Sequence, residues 1–518
     1  MSATPESPSY GDAVGDRAAA KSTPYQALHR LPPLARGPVL AAMAAHALVL
    51  TLSSGGYGYH RDELYFRMLP PAWGYLDQPP LTPLLVRLFS TLVADSTWAV
   101  RIPATLAATA SVLVLALLTR ELGGGRAAQG LCAWAFAFAS VPLLFGHVLL
   151  TATPDLVVWP AVVLLGLRAL LRHEPAWWYA VGVVVGLSTY NKLLVALLLL
   201  ALGAGLALVG PRRVLWSRQL LGCAALALVI GSPNLVYQAT HGWPQLTMGA
   251  ALARDNAAEV RVMMWPFLAL MLGPPLVPVW VAGWVALARR PEWRPARFLA
   301  LAFPVLLLLC ALAGGQVYYP FGLLAVLFAA GCVPVADVLA RVARRWWVLV
   351  VGLVALNAVV SAAVALPLVP LAALGASPVP GLNQLARDQV GWPTYVRQVA
   401  AVYDALPEQD RRRAVLVTSN YGEAGALARY GPPLRLPDAY SGHNALYDVA
   451  RPSDTATIAI VVGGQLRSVS GEFASCTVMA RLDNRVGVDN EEQGQPIALC
   501  RNPAAPWRSI WPRFRHQD

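Results

Sequence analysis

Two adjacent carboxylates lie in an aromatic segment near the start of the chain, which reads Tyr57-Gly58-Tyr59-His60-Arg61-Asp62-Glu63-Leu64-Tyr65-Phe66. A carboxylate can accept the proton of an attacking hydroxyl group, and aromatic surroundings tune its pKa for that task. Asp62 and Glu63 are therefore candidate catalytic residues. The alternative is a solvated loop, in which charged residues need no function. The aromatic neighbours, where Ser, Gly or Lys would be usual, argue against that alternative.

Two more charged residues follow polar turns further along the chain. Asp155 comes after Thr153-Pro154, where it either caps a helix or acts as a second functional acid. Lys192 comes after Tyr190-Asn191 and is the only lysine besides Lys21. It either anchors a helix end at an interface or pairs with a phosphate group. Its isolation favours the phosphate.

The remaining candidates are polar or aromatic residues that would surround a bound substrate. Arg61 and Arg254 are candidate phosphate ligands beside Lys192. The residues predicted to contact the substrate are Tyr59, His60, Tyr65, Gln78, Gln316 and Tyr319. For Gln316 and Tyr319 the alternative is an interfacial turn, since tyrosine is typical of the membrane–water boundary.

Composition places these residues in a membrane protein. Of the 518 residues, 13% are charged and 57% are hydrophobic, and the mean hydropathy is +0.51. A soluble domain carries about a quarter charged residues, so this chain is predicted to lie in a bilayer. The net charge of +12 is not concentrated in one basic domain, which argues against nucleic-acid binding.

The apolar runs predict a mainly α, polytopic membrane protein with about eleven transmembrane helices. The predicted spans lie near residues 37–54, 98–119, 128–150, 155–171, 177–190, 193–209, 219–236, 262–287, 297–314, 319–340 and 346–368. The short arginine-rich loops then all fall on the cytoplasmic side, as the positive-inside rule requires. The fifth and sixth spans meet at Tyr190-Asn191-Lys192. If they were one span, the later arginine-rich loops would lie on the outer side of the membrane. The chain is therefore predicted to be multi-pass in the inner (plasma) membrane, with a cytoplasmic N-terminus.

Three regions follow from this topology. Residues 1–35 are predicted to form a disordered cytoplasmic tail, and residues 36–369 a transmembrane domain with outer loops at 55–97 and 237–261. Residues 370–518 contain short β-branched runs and predict an extracytoplasmic α/β domain. In that domain, Cys476 and Cys500 either form a disulfide, which an oxidising exterior favours, or stay as free thiols.

Several motifs together resemble the GT-C superfold of membrane glycosyltransferases, and within it the bacterial branch related to protein O-mannosyltransferases and aminoarabinose transferases. The main motifs are Arg61-Asp62-Glu63-Leu64-Tyr65, Leu76-Asp77-Gln78-Pro79-Pro80-Leu81 and Gly186-Leu187-Ser188-Thr189-Tyr190-Asn191-Lys192. Supporting motifs are Ser232-Pro233-Asn234-Leu235-Val236-Tyr237-Gln238 and Asn420-Tyr421-Gly422-Glu423. The resemblance covers about residues 37–470.

This resemblance implies an enzyme that transfers a hexosyl or pentosyl group from a polyprenyl-phosphate donor to an acceptor hydroxyl. Transfer would occur on the outer face of the membrane with inversion at the anomeric carbon. Asp62 would be the base with Glu63 beside it, Asp155 the second acid and Lys192 the phosphate ligand. Gln78 stands where aminoarabinose transferases have a lysine, and Gln316 stands where many relatives have one.

Two other classes of function stay open. A transporter or lipid flippase would place charged residues in mid-span and use broken helices. The predicted spans are unbroken and contain almost no ionisable residues, Arg101 being the nearest exception. A non-catalytic scaffold that displays the C-terminal domain would leave the acidic aromatic loop unexplained. The sequence identifies neither the sugar nor the acceptor, and it leaves open whether a divalent metal ion takes part.

Overall fold

The computed structural model describes residues 31–517, so most of the predicted tail over 1–35 lies outside the described residues. Residues 36–365 form a bundle of α-helices. They are α1 (Arg36–Ser53), α2 (Arg61–Met68), α3 (Leu81–Leu92), α4 (Thr97–Glu121), α5 (Arg126–Ala137), α6 (Ser140–His147), α7 (Asp155–Leu171), α8 (Trp177–Ser188), α9 (Val195–Leu208), α10 (Arg218–Thr240), α11 (Pro244–Leu270), α12 (Val277–Arg289), α13 (Phe298–Ala313), α14 (Phe321–Leu339) and α15 (Arg344–Ala365). Helices α2 and α3 lie within the first predicted outer loop.

Five of the described helices, α1, α4, α10, α14 and α15, are long and apolar enough to cross a membrane. Two bent helix pairs raise that number to seven if each pair is one span. Helices α8 and α9 are shorter and are separated at residues 189–194, where the polar trio predicts a break. The multi-pass helical architecture is therefore confirmed, while the number of eleven spans stays a prediction.

The structure corrects the sequence prediction in three places. The predicted unbroken spans at 128–150 and 262–287 are each broken, with bends of 53° between α5 and α6 and 78° between α11 and α12. At the second break Gly273 has a φ of 100° and Pro274 and Pro275 lack the amide hydrogen that a continuing helix needs.

The predicted loop at 237–261 is largely helical instead, because α11 keeps its charged residues, such as Arg254, on an exposed surface.

The cytoplasmic loops predicted from the arginines meet at one end of the bundle, here called the arginine-rich end. At the end of α4, Glu121 pairs with Arg168 and Arg172 from the end of α7. The indole of Trp293, between α12 and α13, donates a hydrogen bond of 3.1 Å to the Leu122 carbonyl. Segments far apart in sequence therefore share this end of the bundle, as alternating spans require.

Residues after α15 form a small α/β domain around a mixed five-stranded sheet. The strands are β1 (Ala414–Thr418), β2 (Ala439–Ser441), β3 (Ile458–Val462), β4 (Phe473–Arg481) and β5 (Pro496–Pro503). Their order is β2-β1-β3-β5-β4, with β1 parallel to β2 and β3, and β5 antiparallel to β3 and β4. The helices of this domain are α16 (Leu371–Leu374), α17 (Val379–Leu382), α18 (Gln384–Arg387), α19 (Trp392–Asp404), α20 (Glu408–Arg411), α21 (Tyr421–Tyr430), α22 (Leu446–Val449), α23 (Leu466–Val469) and α24 (Trp507–Ile510). Cys476 and Cys500 face each other across β4 and β5 and form a disulfide; they are not free thiols.

A buried ion pair joins the first outer loop to the bundle. The Arg101 guanidinium on α4 contacts both carboxylate oxygens of Glu63 on α2 at 2.9 Å, and both side chains are 0% exposed. Its remaining hydrogens reach the carbonyls of Ser54 and Gly58, each at 2.7 Å, and the Oε1 atom of Gln389. A buried ion pair is tolerated only when its remaining hydrogen-bonding groups are satisfied, and this one meets that requirement.

We expect Glu63→Gln to destabilise the protein strongly, because it leaves the Arg101 cation buried without its counter-charge. Removal of one partner of a buried pair lowers the free energy of unfolding by about 3–5 kcal/mol. Thermal unfolding of the purified protein in detergent, followed by tryptophan fluorescence, measures the loss. The matched control is Glu408→Gln, which breaks an exposed pair with Arg412 worth at most about 1 kcal/mol. Equal decreases of Tm in the two variants would contradict the role given to the buried pair.

Candidate active site

Helix α2 places its two adjacent acids, Asp62 and Glu63, in different surroundings. His60 caps the helix, since its Nδ1 accepts a hydrogen bond of 3.1 Å from the Asp62 amide. The Glu63 carboxylate accepts one of 2.9 Å from the His60 amide and another from the Leu149 amide. Glu63 is thus enclosed by backbone donors and Arg101, whereas the Asp62 side chain is 28% exposed to solvent. Only Asp62 of the two can meet a bound molecule in this arrangement.

The C-terminal domain supplies a hydrogen bond to Asp62. Tyr421 is the first residue of α21, and its hydroxyl donates to Oδ1 of Asp62 at 3.0 Å. Burial and the neighbouring Asp62 raise the pKa of Tyr421 well above its usual value, so the phenol keeps its proton. The Arg61 guanidinium packs over the Tyr421 ring, 4.7 Å from its centre, and pairs with Glu491. Arg61, predicted to bind phosphate, is therefore already engaged by a carboxylate.

A further acid of the first outer loop lies next to this group. Oδ1 of Asp77 accepts a hydrogen bond of 2.9 Å from the Tyr65 hydroxyl, and the Tyr65 ring lies 4.7 Å from the Tyr421 ring. Burial raises the pKa of Asp77 to about 7; the Tyr65 hydroxyl opposes the shift and the Asp62 charge adds to it. Asp77 therefore changes its charge near neutral pH beside Asp62.

Lys192 faces two aromatic rings of the turn after α13. Its Nζ is 4.8 Å from the centre of the Tyr319 ring and 5.8 Å from that of Tyr318. Burial acts to lower the pKa of Lys192, but Tyr318, Tyr319 and Asp155 outweigh it and raise the pKa above its usual value. The ammonium is therefore charged at neutral pH and shares its surroundings with the predicted second acid.

Hydrogen bonds hold the turns that carry these groups against the first outer loop. Thr82, at the start of α3, donates to Oδ1 of Asn191 at 2.9 Å. Nδ2 of Asn191 in turn donates to the Thr151 carbonyl at 2.8 Å. The residue after Asn191 is Lys192, and Thr151 belongs to the turn that leads into Asp155. The two turns and the outer loop are therefore fixed relative to one another.

Tyr318 links the two groups of charges. Burial raises its pKa to about 12; Lys192 opposes the shift, while Tyr319, Asp62 and Asp155 add to it. The charges of Asp62, Asp155 and Lys192 thus all act on one phenol. Asp62, Asp155 and Lys192 therefore share the neighbourhood of Tyr318, so the base candidate, the second acid and the cation lie in one region of the structure.

The other predicted residues differ in their burial and in the groups that they contact. Gln78 is 6% exposed, and its side-chain Nε2 has no hydrogen-bond partner among the described residues. Gln316 accepts a backbone hydrogen bond from the Tyr319 amide in the turn after α13. Tyr59 instead packs under Arg67 and Arg429, with their guanidinium carbons 5.3 and 6.0 Å from its ring centre. Nε2 of His60 faces Asp388 at 3.7 Å, and Arg254 is exposed on α11.

Sequence reasoning missed three members of the site: Asp77, Tyr318 and Tyr421. Asp77 and Tyr318 adjoin the predicted residues Gln78 and Tyr319, so their positions could have been included. For Tyr421, the Asn420 and Glu423 spacing of a capping box predicts a helix start. Nothing in that spacing indicates that the helix start faces Asp62, which lies 359 residues away in sequence.

The question of a divalent metal ion stays open. Within residues 31–517, no group of three or more His, Cys, Asp or Glu side chains is arranged to hold a metal ion.

Comparisons with known proteins bear on the family and the fold of the chain. Residues 77–237 match the family model described as dolichyl-phosphate-mannose-protein mannosyltransferase, a stretch that includes Asp155 and Lys192 but begins after Asp62. No curated protein sequence matches the chain significantly. Among solved structures, ArnT from Cupriavidus metallidurans bound to undecaprenyl phosphate is 15% identical, with a TM-score of 0.60 over 89% of this chain and 98% of that one. The apo ArnT structure is 14% identical, with a TM-score of 0.55 over 89% and 97%.

At these identities the structural likeness establishes the fold. The chain therefore has the GT-C fold of ArnT, with a C-terminal α/β domain next to the helical bundle.

Proposed function

We propose that the protein is an inverting glycosyltransferase that moves a sugar from a polyprenyl-phosphate donor to an acceptor hydroxyl on the outer face of the membrane. The observation that carries the proposal is the partly exposed carboxylate of Asp62, held by the Tyr421 hydroxyl at 3.0 Å, with Asp155 and Lys192 acting on the same neighbouring phenol, Tyr318. The matched mannosyltransferase model and the ArnT fold support the donor class. The sugar, hexosyl or pentosyl, and the acceptor stay open.

Asp62 acts as the general base in this proposal. Its carboxylate takes the proton of the acceptor hydroxyl while the hydroxyl oxygen forms a bond to the anomeric carbon of the sugar. The bond from that carbon to the donor phosphate breaks on the opposite side, which inverts the configuration. The Tyr421 hydroxyl, which donates to Oδ1 of Asp62, positions the carboxylate and leaves Oδ2 for the acceptor.

Lys192 stabilises the departing polyprenyl phosphate, on which negative charge develops during transfer. Stabilisation of developing charge at a site of low water content is commonly the largest catalytic contribution. Asp155 and the two tyrosine rings keep the ammonium charged and in place. Gln78 is the polar residue best placed to bind substrate, since its buried amide has an unused donor.

Two of the predicted site residues receive other roles in this proposal. Glu63 is assigned to positioning, because its carboxylate is buried and bound by Arg101 and two backbone amides. Arg61 is assigned to joining α2 with the C-terminal domain through Tyr421 and Glu491.

We also infer that the protein resides in the inner membrane with the C-terminal domain outside. The arginine-rich end is then cytoplasmic, in agreement with the positive-inside rule. The disulfide between Cys476 and Cys500 supports an oxidising compartment for that domain.

Asp62→Asn is expected to reduce the rate of transfer by about 10²–10⁴-fold, because the amide cannot accept the acceptor proton. The measurement is turnover of a panel of polyprenyl-phosphate sugars by the purified protein, together with donor binding, which should survive. The control is Asp438→Asn, which neutralises an exposed carboxylate of the C-terminal domain. Full activity of the Asp62 variant would refute the assignment and leave Asp155 as the next candidate.

Lys192→Met is expected to weaken donor binding by about 10- to 150-fold, the loss of a charge-assisted hydrogen bond of about 1.5–3 kcal/mol. Methionine keeps an apolar stem beside Tyr318 and Tyr319, so packing changes little. Lys192→Arg should retain part of the affinity. An unchanged affinity in the methionine variant, measured with polyprenyl phosphate alone, would return Lys192 to the role of an interfacial anchor.

Tyr421→Phe is expected to lower kcat and to move the acidic limb of the pH–rate profile to higher pH. The reason is that a carboxylate deprived of a hydrogen-bond donor ionises less readily. Tyr395→Phe is the matched control, since this buried tyrosine of the same domain donates to Asn490 at 2.8 Å instead. The same pH shift in both variants would assign the effect to domain packing and not to the contact with Asp62.

A further inference from the structure

A cavity of about 670 Å³ opens at the arginine-rich end of the bundle. It lies against Ala169 and Leu170, the end of the helix that begins at Asp155. This 17-residue helix is about 25 Å long at 1.5 Å per residue, so the cavity is distinct from the space around Asp62. Its volume lies within the range of pockets that hold small molecules, about 300–1,000 Å³.

The walls of the cavity are mainly apolar and its surroundings are aromatic. Leu170, Trp178, Val209 and Val214 contribute side chains to the lining. Next to it Trp216 is 84% exposed. A tryptophan this exposed, at the end of a membrane helix, is typical of the boundary between acyl chains and head groups. The cavity therefore opens at the depth where a phospholipid passes from its polar to its apolar part.

The segments around the cavity carry a net positive charge. Residues 171–178, 209–219 and 291–297 contain six arginines and two glutamates, and of these arginines Arg172 pairs with Glu121. Arg294 both lines the cavity and is exposed. Arg213 and Arg218 lie on the exposed surface of the neighbouring segment. This charge complements an anionic head group and disfavours a wholly apolar occupant.

We propose that this cavity binds one anionic phospholipid of the adjacent leaflet, with an acyl chain along Leu170 and Val214 and the phosphate at Arg294. Basic pockets between membrane helices on the cytoplasmic side favour such head groups, because arginines near the surface attract them. The binding is independent of the transfer reaction proposed above and needs none of its residues. It would hold the ends of α7, α8, α9 and α10 together, where the short helices α8 and α9 meet their neighbours.

The full-length protein, purified in detergent, is loaded with phosphatidylglycerol or with phosphatidylcholine of identical acyl chains and examined by native mass spectrometry. We expect preferential retention of phosphatidylglycerol by the wild type and an about five-fold loss in Arg294→Ala, the effect of one basic residue at a lipid surface. Arg344→Ala is the matched control, since it removes an exposed arginine at the same end of the bundle that does not line the cavity.

A second measurement keeps the test decisive if a variant folds poorly. A phosphatidylglycerol with a photoreactive acyl chain is cross-linked to the wild-type protein, and the labelled peptides are identified. Labels on Trp178 or Val214 support the proposal. Labels confined to other surfaces, equal retention of the two lipids, or equal losses in the Arg294 and Arg344 variants would overturn it. Displacement of the lipid by polyprenyl phosphate at equal concentration would assign the cavity to that lipid instead.

Discussion

The buried pair of Arg101 and Glu63 is the interaction on which the rest of the site depends. Arg101 bonds to the last turn of the first helix, to the loop before α2, to α2 itself and to Gln389 of the C-terminal domain. Desolvating two charges is costly, and only a complete set of partners offsets that cost. Any shift of α2 would break several of these bonds together, so the helix has one position relative to the bundle.

Fixing α2 also explains why two adjacent acids have different surroundings. Successive residues on an α-helix point about 100° apart, so the orientation that buries Glu63 against Arg101 turns Asp62 away from it. Asp62 then meets Tyr421 at the domain boundary and keeps part of its exposure. An acidic pair in a loop would have offered two similar carboxylates. The helix and its buried arginine hold one carboxylate in a buried ion pair and leave the other partly exposed.

The sequence was informative where a property depends on neighbours along the chain. Apolar runs predicted the helical bundle, the polar trio before Leu193 predicted the break between α8 and α9, and β-branched runs predicted the sheet. Properties that depend on distant partners were not accessible. Arg61 was predicted to bind phosphate because the sequence does not show that Glu491, 430 residues later, pairs with it. The break between α11 and α12 was missed because hydropathy averages over a window, whereas the Gly273-Pro274-Pro275 step changes the direction of the chain locally.

The single lysine of the described chain shows how residue type and position act together. Elsewhere in residues 31–517 the basic side chains that carry a permanent charge are arginines, whose planar forks suit carboxylates such as Glu63 and Glu121. Beside two tyrosine rings a compact ammonium with three donors can contact Tyr319 and still turn a donor toward an incoming group, whereas an arginine would stack on one ring. A phosphate that must bind, gain charge and leave is better served by such a point charge than by a rigid bidentate clamp. The choice of lysine at position 192 therefore fits the leaving-group role that we propose for it better than a structural ion pair.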